Sequence, residues 1–407
     1  MRAVELFSGA GGLAMGIRLA GFSSTALVEW NKPACETVRL NQARGFPLVM
    51  DWPAPFEGDV RDFDWSTIEH DIDLVAGGPP CQPFSMGGKH QARDDQRDMF
   101  PATVKIIRTL RPKAFILENV KGLTRLSFAN YFQYIILQLE LPDIALKSGE
   151  SWNLHFERLQ REKTSKRVHF SGLTYKVLPT LVNAADYGIP QKRERVFIVG
   201  FRADQDLQWN FPGATHSEDA LLHDQWITGE YWDRHIVAKK NRPLPAGALL
   251  SRIDSLRQRL FAPETHAWRT VRDALVGLPD IHSSAAANVA DHKYQPGAKV
   301  YPGHTGSPLD LPAKTIKAGD HGVPGGENMV VLPDGNVRYF SVRETARLQT
   351  FPDGFVFNRT WTDSMRQLGN AVPVMLARAV ASSVASKLIA AQLRQLEKRD
   401  LSIRVAA

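Results

Sequence analysis

Short apolar runs alternate with amphipathic stretches through the first half of the chain. Residues 3–7, 25–28, 72–76 and 112–117 have the length and composition of buried strands. Residues 99–110 carry apolar side chains at helical spacing. Strands and helices that alternate in this way are typical of an α/β domain with a mostly parallel sheet. We therefore expect a doubly wound sheet here.

This alternation stops after residue 201. Residues 205–335 are rich in Pro, Gly, His and Trp, which predicts an irregular second domain. Helical spacing returns at 341–350, and the apolar stretch 371–391 is interrupted by charged residues, which favours a packed helix over a membrane span. We expect the chain to divide into a first domain at 1–204, an irregular domain at 205–337 and a returning segment at 338–407.

Composition narrows the possible partners. The 407 residues carry a net charge of +7, which favours a polyanionic partner without establishing one. The two cysteines, Cys35 and Cys81, exclude a disulfide framework or a zinc site built from cysteines. Residues 1–5 run directly into a strand with no signal-peptide pattern, so we expect a soluble, intracellular protein.

Residues 77–85 read Gly-Gly-Pro-Pro-Cys-Gln-Pro-Phe-Ser and follow a predicted strand. The prolines forbid helix and stiffen the loop, so Cys81 is expected at the carboxyl end of that strand. Ligands of α/β sheets bind at that edge. A small buried cysteine is the alternative, but prolines and glycines make a poor core segment, and we favour a nucleophile. Cys35, in a helical pattern, is expected in the core.

A glycine-rich turn at residues 8–16 follows the first predicted strand, and Glu29 and Trp30 follow the second. Glycines let the backbone approach a ligand, an acid at this place can bind ribose hydroxyls, and an indole can stack on adenine. Both a nicotinamide dinucleotide and S-adenosylmethionine fit this half-site. The spacing from Gly9 to Glu29 does not separate them.

Further charged residues follow later strands. Glu118 ends a predicted strand on the same edge as Cys81, where it could act as an acid partner or only cap the next helix. Arg193 and Arg195 alternate just before a strand, which predicts two guanidinium groups on one face, suited to a phosphate or a base carbonyl. A solvated loop is the alternative there. Residues 147–167 are polar and basic, and we expect an exposed insertion.

Taken together and in order, these motifs resemble those of the cytosine-C5 DNA methyltransferases across the whole chain. The resemblance rests on residues 7–12, 29–30, 58–60, 80–82, 95–100, 118–120, 191–195, 343–352 and 369–373. It implies a Rossmann-like, S-adenosylmethionine-dependent methyltransferase fold, with helices on both faces of a mostly parallel sheet. The irregular region 205–337 then corresponds to a target-recognition domain.

The resemblance also implies roles for individual residues and no metal. Catalytic roles are implied for Cys81, Glu118, Arg193 and Arg195. The S-adenosylmethionine site would be lined by Phe7, Gly9, Gly11, Leu13, Glu29, Trp30, Asp59, Val60, Pro80, Asn370 and Val372. DNA contacts would come from Gln82, Ser85, Gln191 and Thr315.

The implied activity is methyl transfer to C5 of a cytosine that is flipped out of double-stranded DNA and attacked at C6 by Cys81. The implied setting is the bacterial cytoplasm, where a monomeric enzyme without membrane contact protects DNA from a restriction endonuclease that is a functional rather than a physical partner. Two alternatives remain: the tRNA-methylating branch of the family, and a DNA-binding regulator with a decayed site. The large glycine-rich region argues against the first, and the intact catalytic motifs argue against the second.

Overall fold

The computed structural model describes residues 1–69, 71–80, 98–164, 172–319 and 328–406, with side chains up to residue 398. The predicted site residues Cys81, Gln82 and Ser85 lie outside the described residues. The chain forms two compact units. The first comprises Met1–Val182, Glu194–Pro212 and Ala377–Ala407, and the second comprises Asn183–Arg193 and Gly213–Leu376.

The first unit is built on a seven-stranded sheet. Its strands are β1 (Arg2–Leu6), β2 (Ser23–Glu29), β3 (Phe56–Glu57), β4 (Leu74–Gly77), β5 (Ala114–Val120), β6 (Tyr175–Asn183) and β7 (Glu194–Arg202). Its helices up to β6 are α1 (Gly12–Leu19), α2 (Lys32–Ala43), α3 (Phe100–Leu110), α4 (Ala129–Glu140) and α5 (Trp152–Thr164). The strand order is β3-β2-β1-β4-β5-β7-β6.

The sheet is mostly parallel, as the alternation of strands and helices predicts. Strands β1 to β5 pair in parallel, and β7 runs antiparallel to β5. Apolar residues of the central strands, such as Val4 and Leu6, join a core cluster with Phe100 of α3 and Ile135 of α4. Cys35 in α2 is fully buried, as predicted. The predicted α/β fold class is confirmed.

The segment predicted as an exposed insertion at 147–167 forms helix α5 between residues 152 and 164. Leu159 is buried in a cluster with Tyr134 and Leu137 of α4, and Trp152 and Phe156 pack against the same cluster. Most other residues of 147–164 are exposed or half-buried, in keeping with the expected exposure. What the sequence did not predict is the helix, because three apolar residues at helical spacing are diluted by charged neighbours.

Buried His155 joins α5 to its surroundings by two hydrogen bonds. The carbonyl oxygen of Ile144 can only accept, so His155 Nε2 donates to it at 2.7 Å. His155 Nδ1 then accepts from the Tyr134 hydroxyl at 2.8 Å. Burial lowers the pKa of His155, which favours this neutral ring.

The second unit contains short elements. They are β8 (His216–Ser217), α6 (Glu218–His223), α7 (Glu230–Arg234), α8 (Ala248–Arg257), β9 (His266–Ala267), α9 (Val271–Leu275), β10 (Ser307–Pro308), β11 (Met329–Val331), β12 (Val337–Tyr339), α10 (Val342–Leu348) and α11 (Trp361–Asn370). Strands β10-β11-β12 form one small sheet and β8-β9 another. Helix α10 begins in a capping box, in which Ser341 and Glu344 satisfy each other's backbone N–H groups.

The last helix, α12 (Val374–Ala406), begins directly after Pro373. Val380, Val384, Leu388 and Ala391 are buried at helical spacing, as expected for a packed amphipathic helix. Among the described residues, one helical stretch, Trp361–Lys398, passes a length and composition test for a membrane span, and half of its most apolar window is buried. A core helix passes the same test, so this is weak evidence for a membrane span.

Glu5 is a buried acid in the centre of the sheet. Its side chain is 1% exposed, and its Oε1 atom has no hydrogen-bond partner among the described residues. Burial raises the pKa of Glu5 from 4.5 to about 8, because the charged form cannot be solvated there. The folded protein therefore holds this carboxyl group protonated at neutral pH.

We predict that the free energy of unfolding decreases less with rising pH in Glu5→Gln than in wild type. A folded-state pKa above the unfolded value contributes stability that is fully present below about pH 4.5 and is lost as the pH rises to about 8. Each pH unit in this window corresponds to about 1.4 kcal/mol. We expect the free energy of unfolding of the variant, relative to that of wild type, to rise by roughly 3 kcal/mol from about pH 5.5 to pH 8. Urea unfolding of both proteins at the two pH values measures this difference.

Glu69→Gln is the matched control, since the Glu69 side chain is 82% exposed in its ion pair with Arg2. It should leave the pH dependence of unfolding unchanged. An equal pH dependence for wild type and Glu5→Gln would show that Glu5 titrates normally in the folded state.

Candidate active site

The turn after β1 has the backbone geometry of a ligand-binding loop. Gly9 and Gly11 have φ of +54° and +87°, values that glycine adopts without strain, and Gly11 caps α1. Phe7 also lies at positive φ, +54°, which is uncommon for an aromatic residue. Strain held at a strand end next to a glycine turn is a pattern found at ligand sites.

Glu29 ties this turn to the end of β2. Its Oε2 atom accepts a hydrogen bond from the Gly9 N–H at 2.7 Å, and its Oε1 atom accepts one from the Asn31 N–H at 2.7 Å. Burial raises the pKa of Glu29, and these backbone hydrogen bonds oppose the rise. The acid that the sequence places 20 residues beyond Gly9 is thus in contact with it.

Two features, one in the turn and one after β2, are consistent with a nucleoside ligand. The hydroxyl oxygen of Ser8 is buried and has no hydrogen-bond partner among the described residues, so it is available to a ligand. The Trp30 side chain is 75% exposed, which is unusual for an indole and leaves a ring face open. These features fit a group that combines an aromatic ring with polar atoms.

The other residues predicted for the cofactor site have varied surroundings. Asp59 is held by Arg61 at 2.6 Å and 2.9 Å, and this hydrogen bonding lowers the pKa of Asp59, which keeps it ionised. Leu13 and Val60 are buried. Pro80 is half-buried. In the second unit, Asn370 is the last residue of α11 and is exposed, whereas Val372 is buried.

Glu118 and Arg195 form a buried ion pair across β5 and β7. Arg195 Nε lies 2.8 Å from Glu118 Oε1, with the two side chains 12% and 10% exposed. Val120 is the register partner of Arg195, so the arginine reaches diagonally to the residue two positions earlier. Burial lowers the pKa of Arg195, and the Glu118 carboxylate opposes this.

The sequence leaves two roles open for Glu118, an acid partner of the predicted nucleophile or a cap of the following helix. The backbone around Glu118 excludes the cap. Strand β5 continues to Val120, so Glu118 lies inside the strand and not at its end. The turn at Lys121–Thr124 that follows has no side-chain cap. Glu118 therefore does not cap a helix.

Asn119 is a site residue whose contact the sequence did not reveal. Its side chain is 7% exposed, and its Nδ2 atom donates to the carbonyl oxygen of Pro79 at 2.9 Å. Its Oδ1 atom accepts from the Val120 N–H at 2.9 Å. Asn119 thus holds the backbone of the segment that leads to residue 81. Only its place beside Glu118 in the family motif marks it in the sequence.

Arg193 has different partners from Arg195. It is 1% exposed, and its guanidinium group donates to the carbonyl oxygens of Ile316, Gly369 and Ala371 at 2.8–3.1 Å. These contacts lie within the second unit. Arg193 therefore joins segments that are more than 100 residues away from it in the sequence.

Gln191 is fully buried in the same unit. Its Oε1 atom accepts from the Ile316 N–H at 3.1 Å, and its Nε2 atom donates to Gln349 Oε1 at 3.3 Å. Thr315 donates its hydroxyl to the Lys192 carbonyl at 2.7 Å. The segments 190–193 and 313–316 are thus fastened together by side-chain bonds, in addition to the parallel bridge between Gln191 and Ala313.

No group of three or more His, Cys, Asp or Glu side chains in the described part of the chain could hold a metal ion. The predicted nucleophile Cys81 and the predicted DNA contacts Gln82 and Ser85 are outside that part. Of the predicted site residues that the structure describes, Glu29 is in contact with the glycine turn, and Glu118 is in contact with Arg195 and next to Asn119.

Comparison with known proteins identifies relatives of this chain. The family profile described as C-5 cytosine-specific DNA methylase matches residues 1–142 and 154–386. The chain is 30% identical to Type II methyltransferase M.PspPI of Psychrobacter sp. (strain TA137) over 397 residues, which cover 95% of this chain and 80% of the relative. It is also 30% identical to Type II methyltransferase M.NgoMIV of Neisseria gonorrhoeae, with 95% and 97% covered.

Solved structures share the fold. A candidate DNA modification methyltransferase encoded within an E. coli prophage superposes with a TM-score of 0.58 at 21% identity, covering 95% of this chain and 99% of that one. The Dnmt2 methyltransferase of S. pombe gives 0.52 at 16% identity, with 95% and 98% covered. At these identities the likeness supports the fold alone.

We predict that removing Arg195 alone destabilises the protein more than removing the charges of both Arg195 and Glu118. Arg195→Met leaves a buried carboxylate without its cation and should lower the free energy of unfolding by about 3 kcal/mol. Adding Glu118→Gln should recover much of this loss, because the uncompensated charge is removed. Urea unfolding of wild type, both single variants and the double variant measures the coupling. Losses that simply add in the double variant would contradict a coupled pair.

Proposed function

The chain belongs to the C-5 cytosine-specific DNA methylase family and is a DNA cytosine-5-methyltransferase, and from this premise we propose that it modifies one cytosine within a specific sequence of duplex DNA. The observation that carries the proposal is the buried Glu118–Arg195 pair beside Asn119, which holds the backbone leading to the predicted nucleophile. In this arrangement the carboxyl group would act as an acid on the same base that the predicted cysteine attacks as a nucleophile.

Cytosine requires this chemistry because its C5 atom is not nucleophilic. We propose that the Cys81 thiolate forms a bond to C6 while Glu118, in its protonated form at this step, gives a proton to N3, which moves electron density to C5. C5 then takes up the methyl group, loss of the C5 proton to a base reforms the C5=C6 double bond, and the bond to Cys81 breaks. Glu118 recovers its proton from N3 as the ring returns to its neutral form.

Arg195 positions Glu118 in this scheme. Its guanidinium group donates to one oxygen of the Glu118 carboxyl group at 2.8 Å and leaves the other oxygen for the base. Arginine is suited to this task because its planar donor set fixes the orientation of a carboxylate. A nearby guanidinium group also favours the thiolate form of a cysteine.

S-adenosylmethionine fits the glycine turn, and when bound it supplies the methyl group. We propose that the open face of Trp30 receives the adenine ring and that Glu29 binds ribose hydroxyls with its remaining lone pairs. Ser8 offers a buried hydroxyl to the same ligand. The predicted roles of Phe7, Gly9, Gly11, Leu13, Asp59, Val60, Pro80, Asn370 and Val372 in this site stay part of the proposal.

The predicted DNA contacts differ in how well the structure supports them. Thr315 is half-buried on the segment fastened to residues 190–193. Its hydroxyl already donates to the Lys192 carbonyl, so we propose that a backbone phosphate of DNA accepts from its N–H. Gln191 is fully buried with both polar ends of its side chain bonded, so we propose that it supports this segment instead of touching DNA. Gln82 and Ser85 remain proposed DNA contacts from the family pattern alone.

We further propose that the enzyme acts as a monomer in the bacterial cytoplasm and protects DNA from a restriction endonuclease that recognises the same sequence. The names of the relatives as Type II methyltransferases support this setting. The base is proposed to leave the duplex for reaction, because an enzyme cannot reach ring atoms inside the stack. The net charge of +7 is favourable for binding the phosphate backbone.

We predict that the purified protein, given S-adenosylmethionine and plasmid DNA, places 5-methylcytosine at one position of a single recurring sequence. Mapping 5-methylcytosine at base resolution gives the reaction, the position and its context in one experiment. Transfer RNA serves as the competing substrate. Methylation of tRNA with none in duplex DNA would move the chain to the tRNA-methylating branch, and methylation of neither would remove the proposed activity.

We predict that Cys81→Ser abolishes methyl transfer and leaves DNA binding within about twofold of wild type. A serine hydroxyl is protonated at neutral pH, whereas a few per cent of an ordinary cysteine is thiolate and strongly nucleophilic. Tritium transfer to duplex DNA measures turnover, and fluorescence anisotropy measures binding. Cys35→Ser is the control for cysteine loss and should remain active if folded. Turnover near the wild-type rate in Cys81→Ser would exclude Cys81 as the nucleophile.

A further inference from the structure

Ile236 occupies a position in the second unit that favours glycine. It follows α7 and its cap residue His235, and its φ is +54°. The Ile236 N–H donates to the Asp233 carbonyl at 3.1 Å, and the Val237 N–H donates to the Trp232 carbonyl at 2.9 Å. This is the usual left-handed helix end, in which glycine is most common and a β-branched residue is a conformational outlier.

The side chain gains no packing in return for this strain. Ile236 is 92% exposed, although isoleucine is among the residues most often buried. The backbone beneath it is anchored, because Tyr231 and Trp232 are almost fully buried and form a cluster with Trp268. A strained backbone on a rigid base thus holds an aliphatic group out in solvent. Strain of this kind is found where a side chain has a functional role.

Basic side chains flank Ile236 along the chain, at Arg234, Lys239 and Lys240. Lys239 and Lys240 are exposed, and neither forms an ion pair with any of the residues that the structure describes. Arg234 is 49% exposed but is paired with Asp224 and Asp273, and the open cavity of about 460 Å³ that it lines also contains Glu230. The unpaired positive charge near Ile236 in the chain therefore comes from Lys239 and Lys240. An apolar side chain that projects among cations fits a polyanion with apolar faces between its charges, which describes duplex DNA.

We propose that Ile236 contacts DNA directly, placing its aliphatic side chain against a base of the bound duplex while Lys239 and Lys240 bind the adjacent phosphates. This inference rests on the proposed function and adds a residue to it. Aliphatic side chains meet DNA at thymine methyl groups or between base steps, and either contact requires a side chain that projects from the protein surface.

The test compares Ile236→Gly with the wild-type enzyme. Glycine removes both the strain and the aliphatic group, so the melting temperature should stay equal or rise while the Kd and KM for target duplex DNA rise at least fivefold. The kcat should stay within twofold, and S-adenosylmethionine binding should be unchanged. Ile236→Ala, which keeps a Cβ at positive φ, should lose DNA affinity similarly and should not gain stability.

Two control variants separate a DNA contact from a general effect. Asn358→Gly relieves another positive φ, +45°, and should leave DNA affinity unchanged. Ile389→Ala truncates a half-exposed aliphatic side chain of α12 and should do the same. A raised melting temperature in Ile236→Gly with unchanged Kd and KM for DNA would overturn the inference and point to another partner for Ile236. If the wild type binds and methylates no DNA, the proposed function fails first, and this result is distinguishable from the failure of Ile236 alone.

Discussion

The ion pair between Glu118 and Arg195 depends on strand β7, which runs antiparallel to β5. Because β7 runs antiparallel to β5, the residues that end one strand lie beside those that begin the other. Arg195 enters the sheet opposite Val120 and reaches Glu118 diagonally. A shift of one residue would turn its side chain to the other face and leave both charges buried without partners. Register and site chemistry are therefore determined together.

Gly77 and Gly78 lie in the segment that leads to residue 81, the proposed nucleophile. A Cβ on Gly77 would lie 2.5 Å from the Leu6 carbonyl oxygen, so only glycine lets β4 end this close to β1. A Cβ on Gly78 would lie 3.4 Å from Glu118 Oε2, an ordinary van der Waals distance, so this glycine lies directly beside the Glu118 carboxyl group. Asn119 then fixes the next carbonyl, that of Pro79. The three contacts leave little freedom for the chain as it approaches residue 81.

What the sequence predicted well was local. Buried strands, the glycine turn and the place of Glu29 follow from periodicity and from glycine conformation, which act over a few residues. The helix at 152–164 was missed, because its stability comes from packing on α4 and from the His155 bonds and not from a strong apolar pattern. The Glu118–Arg195 bond links residues 77 positions apart, and no spacing rule could have distinguished it from a helix cap.

Arg193 shows why adjacent motif residues need not share a task. Its buried charge is balanced by backbone carbonyl dipoles from Ile316, Gly369 and Ala371, which only a forked donor can satisfy together. Gly369 must be glycine there, because a Cβ would meet the Ala318 backbone at 2.3 Å. A lysine at 193 could not bridge three separate carbonyls in the same way. The first arginine of the motif thus organises the second unit, and the second orients an acid in the first, although one residue separates them.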